Sequence, residues 1–286
     1  MIGTVIATTL RIMSNSLANV YQKQLTANQV GAFFINFVMY FGLTICCIPL
    51  VLKTDFSALS YTVWINAILG GLCGAFGNSY LVKALGNGEL SILGPINAYK
   101  SVVAMVVGII LLHEIPSLIG IFATFLIIWG SYFVFDTQEE GFSFALLKRK
   151  DIRYRIYALI FTAIEAVFVK NVILLTDINT SFFFWCFFGM IFTGLLALKS
   201  GQIKVAPKFS IIKKLVLIII LMGTMQYSTN YVFSKINVSY GLALFQLSTI
   251  VSVFLGWHFF NEGQIRKKLI GSIIMVIGAV MLILWK

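Results

Sequence analysis

Arg11, Lys100 and Glu165 each fall close to the middle of a long apolar stretch of this 286-residue sequence, and Glu165 is the only acidic residue so placed. An ionised side chain at membrane depth costs about 2.5 to 3.5 kcal/mol on insertion scales and normally faces protein or water. Polar neighbours accompany them at helical spacing. Arg11, Asn15, Asn19 and Lys23 recur every four residues, so they share one slowly drifting helical face that should point inward. Asn97, Lys100 and Ser101 form a second patch just after Pro95, whose missing amide kinks a helix and frees a carbonyl for solute. Gln226 and Asn230 stand one turn apart on a third stretch. These residues offer recognition chemistry. Arg11 and Lys100 attract an anionic or zwitterionic solute, while Glu165 pairs with a cation or exchanges a proton. The structural alternative is an ion pair between Glu165 and one base that fastens helices together.

Other chemistries lack their residues. Cys46, Cys47, Cys73 and Cys186 show none of the spacings of zinc sites or disulfide frameworks and are read as small apolar filler. His113 and His258 have no second ligand at metal spacing, so no metal is expected. Neither a phosphate-binding loop nor a dinucleotide fingerprint occurs, so no cofactor is expected and any energy must come from gradients or a partner. No nucleophile with its base is legible, and the chain is not expected to be an enzyme.

The elements that position these residues follow from composition. With 59% hydrophobic and 11% charged residues, a water-soluble fold is excluded. Apolar segments of spanning length recur with short polar gaps, predicting ten transmembrane helices at 2–22, 29–52, 62–85, 90–112, 115–135, 155–175, 180–198, 214–236, 238–260 and 266–285. The first has no basic region before it and carries Arg11, so it reads as a retained helix rather than a signal peptide.

The net charge of +11 does not point to nucleic acid, because its bases alternate between loops. Lys148, Arg149, Lys150, Arg153 and Arg155, then Lys199, Lys204, Lys208, Lys213 and Lys214, then Arg266, Lys267 and Lys268, share one face with Lys23 and Lys83. The other face has Lys53, Lys170, Lys235 and Lys286. Such a bias marks the basic face as cytoplasmic, where bases meet anionic headgroups, and expects both termini outside. The partners expected are a small-molecule substrate and membrane lipids, in the cytoplasmic membrane.

The sequence also repeats itself. Shifted by 148 residues, Gly108 falls on Gly256, Glu114 on Glu262, Gly130 on Gly278 and Asn78 on Gln226; a shift of 147 lays Lys23 on Lys170. Five spans per copy is an odd number, so the second copy enters the membrane upside down. The expected fold is therefore an all-α membrane protein of two inverted five-helix repeats around a pseudo-symmetric cavity. The first half covers 1–136, a basic connecting loop 137–154, and the second half 155–286.

A long helix, an acidic residue just after it and a glycine-bearing helix next occur at Leu111-Leu112-His113-Glu114 to Gly130 and at Phe259-Phe260-Asn261-Glu262 to Gly278. This pattern resembles the EamA-type halves of the drug/metabolite transporter superfamily over nearly the whole chain, through loose motifs. The resemblance implies transport without naming a substrate, and implies that the first, fourth and sixth helices help line the cavity. It also implies cytoplasmic termini, opposite to the charge bias, and the first half departs from the pattern with Ala123 where the second has Gly271.

The expected function is secondary transport of a small polar metabolite, an amino acid, amine or similar. The cavity is assigned to Arg11, Asn15, Asn19, Asn78, Asn97, Lys100, Glu165, Gln226 and Asn230, with Glu165 the proton-coupling candidate. The alternative is a lipid-linked carrier flippase of the same fold. Gly70, Gly74 and Gly77 are expected to pack helices closely, Lys23 and Lys170 to snorkel to headgroups, and Glu114 and Glu262 to make turn or gate contacts.

Overall fold

The computed structural model describes residues 2–100, 102–103, 117–138, 143–201, 208–236 and 238–284, among which there are helices, turns and short 3-10 segments but no strand. Lipid offers the backbone no hydrogen bonds, so a spanning chain satisfies its own amides within helices. The order is α1 (Ile2–Ala27), α2 (Ala32–Cys47, prolonged by a 3-10 turn at Ile48–Val51), α3 (Tyr61–Asn87), α4 (Leu90–Leu93) and α5 (Leu118–Phe135). There follow α6 (Lys150–Leu175), α7 (Ile178–Lys199), α8 (Phe209–Lys235), α9 (Val238–Phe245), α10 (Ser248–Phe260) and α11 (Ile265–Leu284). Among the described residues seven segments are long and apolar enough to cross a membrane. Helix ends carry local signals: Asp177 opens α7 by accepting from the Asn179 and Thr180 amides at 2.7 and 3.2 Å, and Asn261 closes α10 in the left-handed region at φ 52°.

Two helices predicted as continuous are broken. After α4 the chain passes Gly94 into a 3-10 turn at Pro95–Ala98, where the Asn97 amide bonds to Gly94 and the Leu93 carbonyl is left out of the ladder. The span predicted over 238–260 separates into α9 and α10 at Gln246 and Leu247, at the position that the 148-residue shift relates to the first break. No proline marks this second break. The sixth span begins at Lys150 rather than 155, which brings Arg155 inside the helix.

The packing has the pattern of a two-fold axis relating the halves. Alpha-helix α5 packs on α11 and α2 on α7, while α3 packs on α6 and α1 on α8. Second meets second and fifth meets fifth, while first and third exchange partners. At the α5 to α11 crossing a Cβ on Gly130 would stand 2.7 Å from the Gly271 carbonyl oxygen, and one on Gly278 would stand 2.7 Å from that of Ala123. The register is self-complementary, because the repeat relates Gly130 to Gly278 and Ala123 to Gly271. Ala123 fits in the first half since the tight approach there is made by Gly278. On α3, Gly70, Gly71, Gly74 and Gly77 admit α6 and α7 to close range, as their spacing predicts.

The chain ends of several helices are tied by ions rather than left to headgroups. Lys23 donates to the Gly88 carbonyl at 2.7 Å and to Glu262 at 2.8 Å, and Glu262 accepts from the Leu90 and Ser91 amides at 2.8 and 2.7 Å. Lys268 bonds Ser91 at 3.0 Å and pairs with Glu89. Burial alone would raise the Glu262 carboxyl, but the Lys23 ammonium and the hydrogen bonds from Ser91 hold it below its ordinary value. The snorkelling expected of Lys23 and Lys170 is corrected here: Lys170 donates to the Phe233 and Ile236 carbonyls, because the α8 to α9 turn lies within its reach. Glu262 makes the turn contacts expected at a loop edge. Ser101, Gly108, His113, Glu114, Lys204 and Lys286 lie outside the described residues.

Candidate functional site

A cavity of about 100 Å³ lies at the meeting of α1, α3, the broken fourth span, α6, α8 and the α9 to α10 break. Eight of the nine residues singled out in the sequence line it: Arg11, Asn15 and Asn19 from α1, Asn78 from α3, Asn97 and Lys100 from the broken span, Glu165 from α6 and Gln226 from α8. Asn230 does not. It is fully buried behind Gln226, whose Nε2 donates to its Oδ1 at 3.0 Å, because one turn further along α8 the face has rotated away from the cavity.

The charged groups converge without pairing. Arg11 stacks its guanidinium 4.1 Å over the Phe245 ring, and its Nε and Nη1 are buried with no hydrogen-bond partner. Lys100 is nine-tenths buried, lies within electrostatic reach of Arg11, Arg155 and Glu165, and forms no hydrogen bond among the described residues. Glu165 accepts from the Trp185 indole and forms no ion pair among the described residues. The internal ion pair offered as the structural alternative is therefore absent from these residues. Gly74 makes room for this arrangement, since a Cβ there would meet Glu165 Oε1 at 2.7 Å. Asn78 stands beside it, donating to the Tyr40 hydroxyl at 2.8 Å.

Arg155, the first residue of the sixth predicted helix, was grouped by sequence with the bases of the membrane surface, and the structure places it on the cavity wall. Its Nε donates to the Leu93 carbonyl at 2.7 Å and its Nη2 to Asn97 Oδ1 at 3.0 Å, and Asn97 in turn donates to Gln246 at 3.1 Å. The carbonyl that the 3-10 turn leaves out of the ladder, that of Leu93, is thus taken by an arginine, not held open for solute. A signal was available: Arg155, Thr162 and Val169 repeat at seven residues and share their helical face with Glu165 and Ala166, all five lining the cavity.

The family model of the EamA-like transporter family matches residues 4–136 and again 152–284, two copies that together cover nearly the whole sequence. The chain belongs to the EamA-like transporter family. It is thus a multi-pass membrane transporter with an inverted repeat, and the two-fold packing of the helices agrees with that repeat. The fold of this EamA chain recurs in a crystal structure of another protein at a TM-score of 0.67, with 14% identity over 97% of this chain and 95% of that one. No curated protein matches the chain. Within the EamA architecture the cavity draws on both copies, with Arg11 and Lys100 from the first and Arg155 and Glu165 from the second.

Proposed function

We propose that this EamA protein is a secondary transporter that moves a small polar metabolite, an amino acid, amine or similar, across the cytoplasmic membrane through the central cavity. Its ten transmembrane helices form two inverted five-helix halves, 1–136 and 155–286, joined by the basic segment 137–154. The observation that carries this reading is the meeting of Arg11, Lys100 and Glu165, from three elements and both halves, around one polar cavity. Groups that only fasten helices would be paired with each other, and among the described residues these three are not. In this reading the asparagines and Gln226 position the solute, Asn230 supports Gln226, and Glu165 carries the coupling proton.

The test is the thermal stability of the detergent-purified protein against amino acids, polyamines, sugar phosphates, nucleotide sugars and lipid headgroups. A ligand that binds only the folded state raises the melting temperature. A soluble compound whose effect disappears in Lys100→Ala or Glu165→Gln supports the reading. A response to lipid headgroups alone replaces it with the lipid-linked carrier flippase.

A further inference from the structure

We propose that the transported metabolite is a small dianion whose acidic groups, carboxylates or a phosphate monoester, are held by Arg11, Lys100 and Arg155. This rests on the transporter reading and moves its substrate from an amine or neutral amino acid to a dianion.

Among the described residues the cavity is lined by three bases, Arg11, Lys100 and Arg155, against one carboxylate, Glu165. Every other described acid is engaged elsewhere: Glu89 with Lys268, Asp136 with Lys267, Asp151 with Arg149, Glu262 with Lys23, Asp177 at the start of α7 and Asp55 with Ser57. The rest of the lining is neutral amide, hydroxyl and hydrocarbon. Two positive charges are therefore left over in a buried cavity, where burying like charges together is costly without a counter-charge. The chain keeps donors free for one. Among the described residues, Arg11 leaves Nε and Nη1 without a partner, the Lys100 ammonium has none, and Arg155 spends only Nε and Nη2. Guanidinium and ammonium donors lining one cavity favour oxyanions.

Net charge then discriminates among solutes. A polyamine adds cations to cations. A neutral amino acid brings one carboxylate and one ammonium and leaves the excess as it was. A dianion cancels it. The stacking of Arg11 on Phe245 and the hold of Leu93 and Asn97 on Arg155 fix two of the bases before the solute arrives, which reduces the ordering cost of binding.

The experiment compares purified full-length protein at constant ionic strength with succinate, glycerol 3-phosphate, alanine and putrescine, following the melting temperature. Succinate or glycerol 3-phosphate should raise it by several degrees, and whichever acts separates the dicarboxylate from the phosphate ester. Alanine and putrescine should leave it unchanged. The rise should vanish in both Lys100→Gln and Arg11→Gln, the second variant guarding against misfolding of the first. A rise with alanine or putrescine that Glu165→Gln removes, with both dianions silent, overturns the dianion and keeps the transporter. Silence from all four compounds, with a response to vesicles containing an undecaprenyl phosphate lipid, overturns both.

Discussion

Arg155 on α6 places its Nε 2.7 Å from the carbonyl oxygen of Leu93, which the 3-10 turn at Pro95–Ala98 leaves without a backbone donor when the Asn97 amide bonds Gly94 instead. One side chain thereby ties the second half of the chain to the broken helix of the first.

Replacing Arg155 with Ala leaves the Leu93 carbonyl and Asn97 Oδ1 without their donors. The expected loss is about 1 to 3 kcal/mol for each buried acceptor left unpaired. It should be read as a lower midpoint in thermal unfolding, together with loss of uptake in proteoliposomes. Arg155→Lys, which can reach only one acceptor, should fall between the two.

Glu165→Gln should abolish the pH dependence of uptake and leave folded yield intact, because the amide still accepts from the Trp185 indole while giving up the titrating proton. Unchanged pH dependence would remove Glu165 from the coupling role.

Gly74→Ala places a methyl group 2.7 Å from Glu165 Oε1 and 3.2 Å from both the Trp185 indole nitrogen and the Tyr40 hydroxyl. Overpacking of this kind costs about 1 to 3 kcal/mol. Uptake and melting temperature should both drop. Gly263→Ala, with nothing within 4 Å of the added carbon, is the matched control and should behave as the parent protein.

Glu262 sets an acid limit to stability. Its carboxyl lies below its ordinary value in the folded protein, so the unfolded chain takes up the proton first as pH falls. The stabilisation is complete above the ordinary carboxylate value of about 4.3 and is lost as pH drops through the lowered one. Melting temperature measured from pH 7 down to pH 3 should decline in the parent protein and decline less steeply in Glu262→Gln. That variant should also start from a lower midpoint, since Lys23 loses its ion pair.

What the sequence revealed and what it hid have the same physical origin. Arg11, Lys100 and Glu165 were legible because a charge inside an apolar run has few tolerable settings, and all three line the cavity. Arg155 was hidden among Lys148, Arg149, Lys150 and Arg153, where a further base looks like more headgroup contact, although its seven-residue spacing from Thr162 and Val169 puts it on the face of Glu165. Pro95 announced its break, whereas Gln246 and Leu247 have no backbone peculiarity to read and break the helix through the tertiary setting. Lys23 and Lys170 were given to the headgroups because their partners, Glu262 and two carbonyl oxygens of the α8 to α9 turn, are distant in sequence. The duplication predicted two related halves, whereas which helix meets which, and the approach of Gly130 to Gly271 and of Gly278 to Ala123 at the α5 to α11 crossing, depends on how the halves dock.

The two-fold relation extends to the cavity wall but stops at its charges. The repeat sets Lys100 opposite Ser248, Arg11 opposite Ala158, Arg155 opposite Thr8 and Glu165 opposite Ala18. A backbone that would look alike from either face of the membrane thus encloses an electric field that does not. If the proposed solute uses this cavity, it meets the same uneven field whether it enters from inside or outside, so it should be held with a fixed front and back in a passage whose frame has neither.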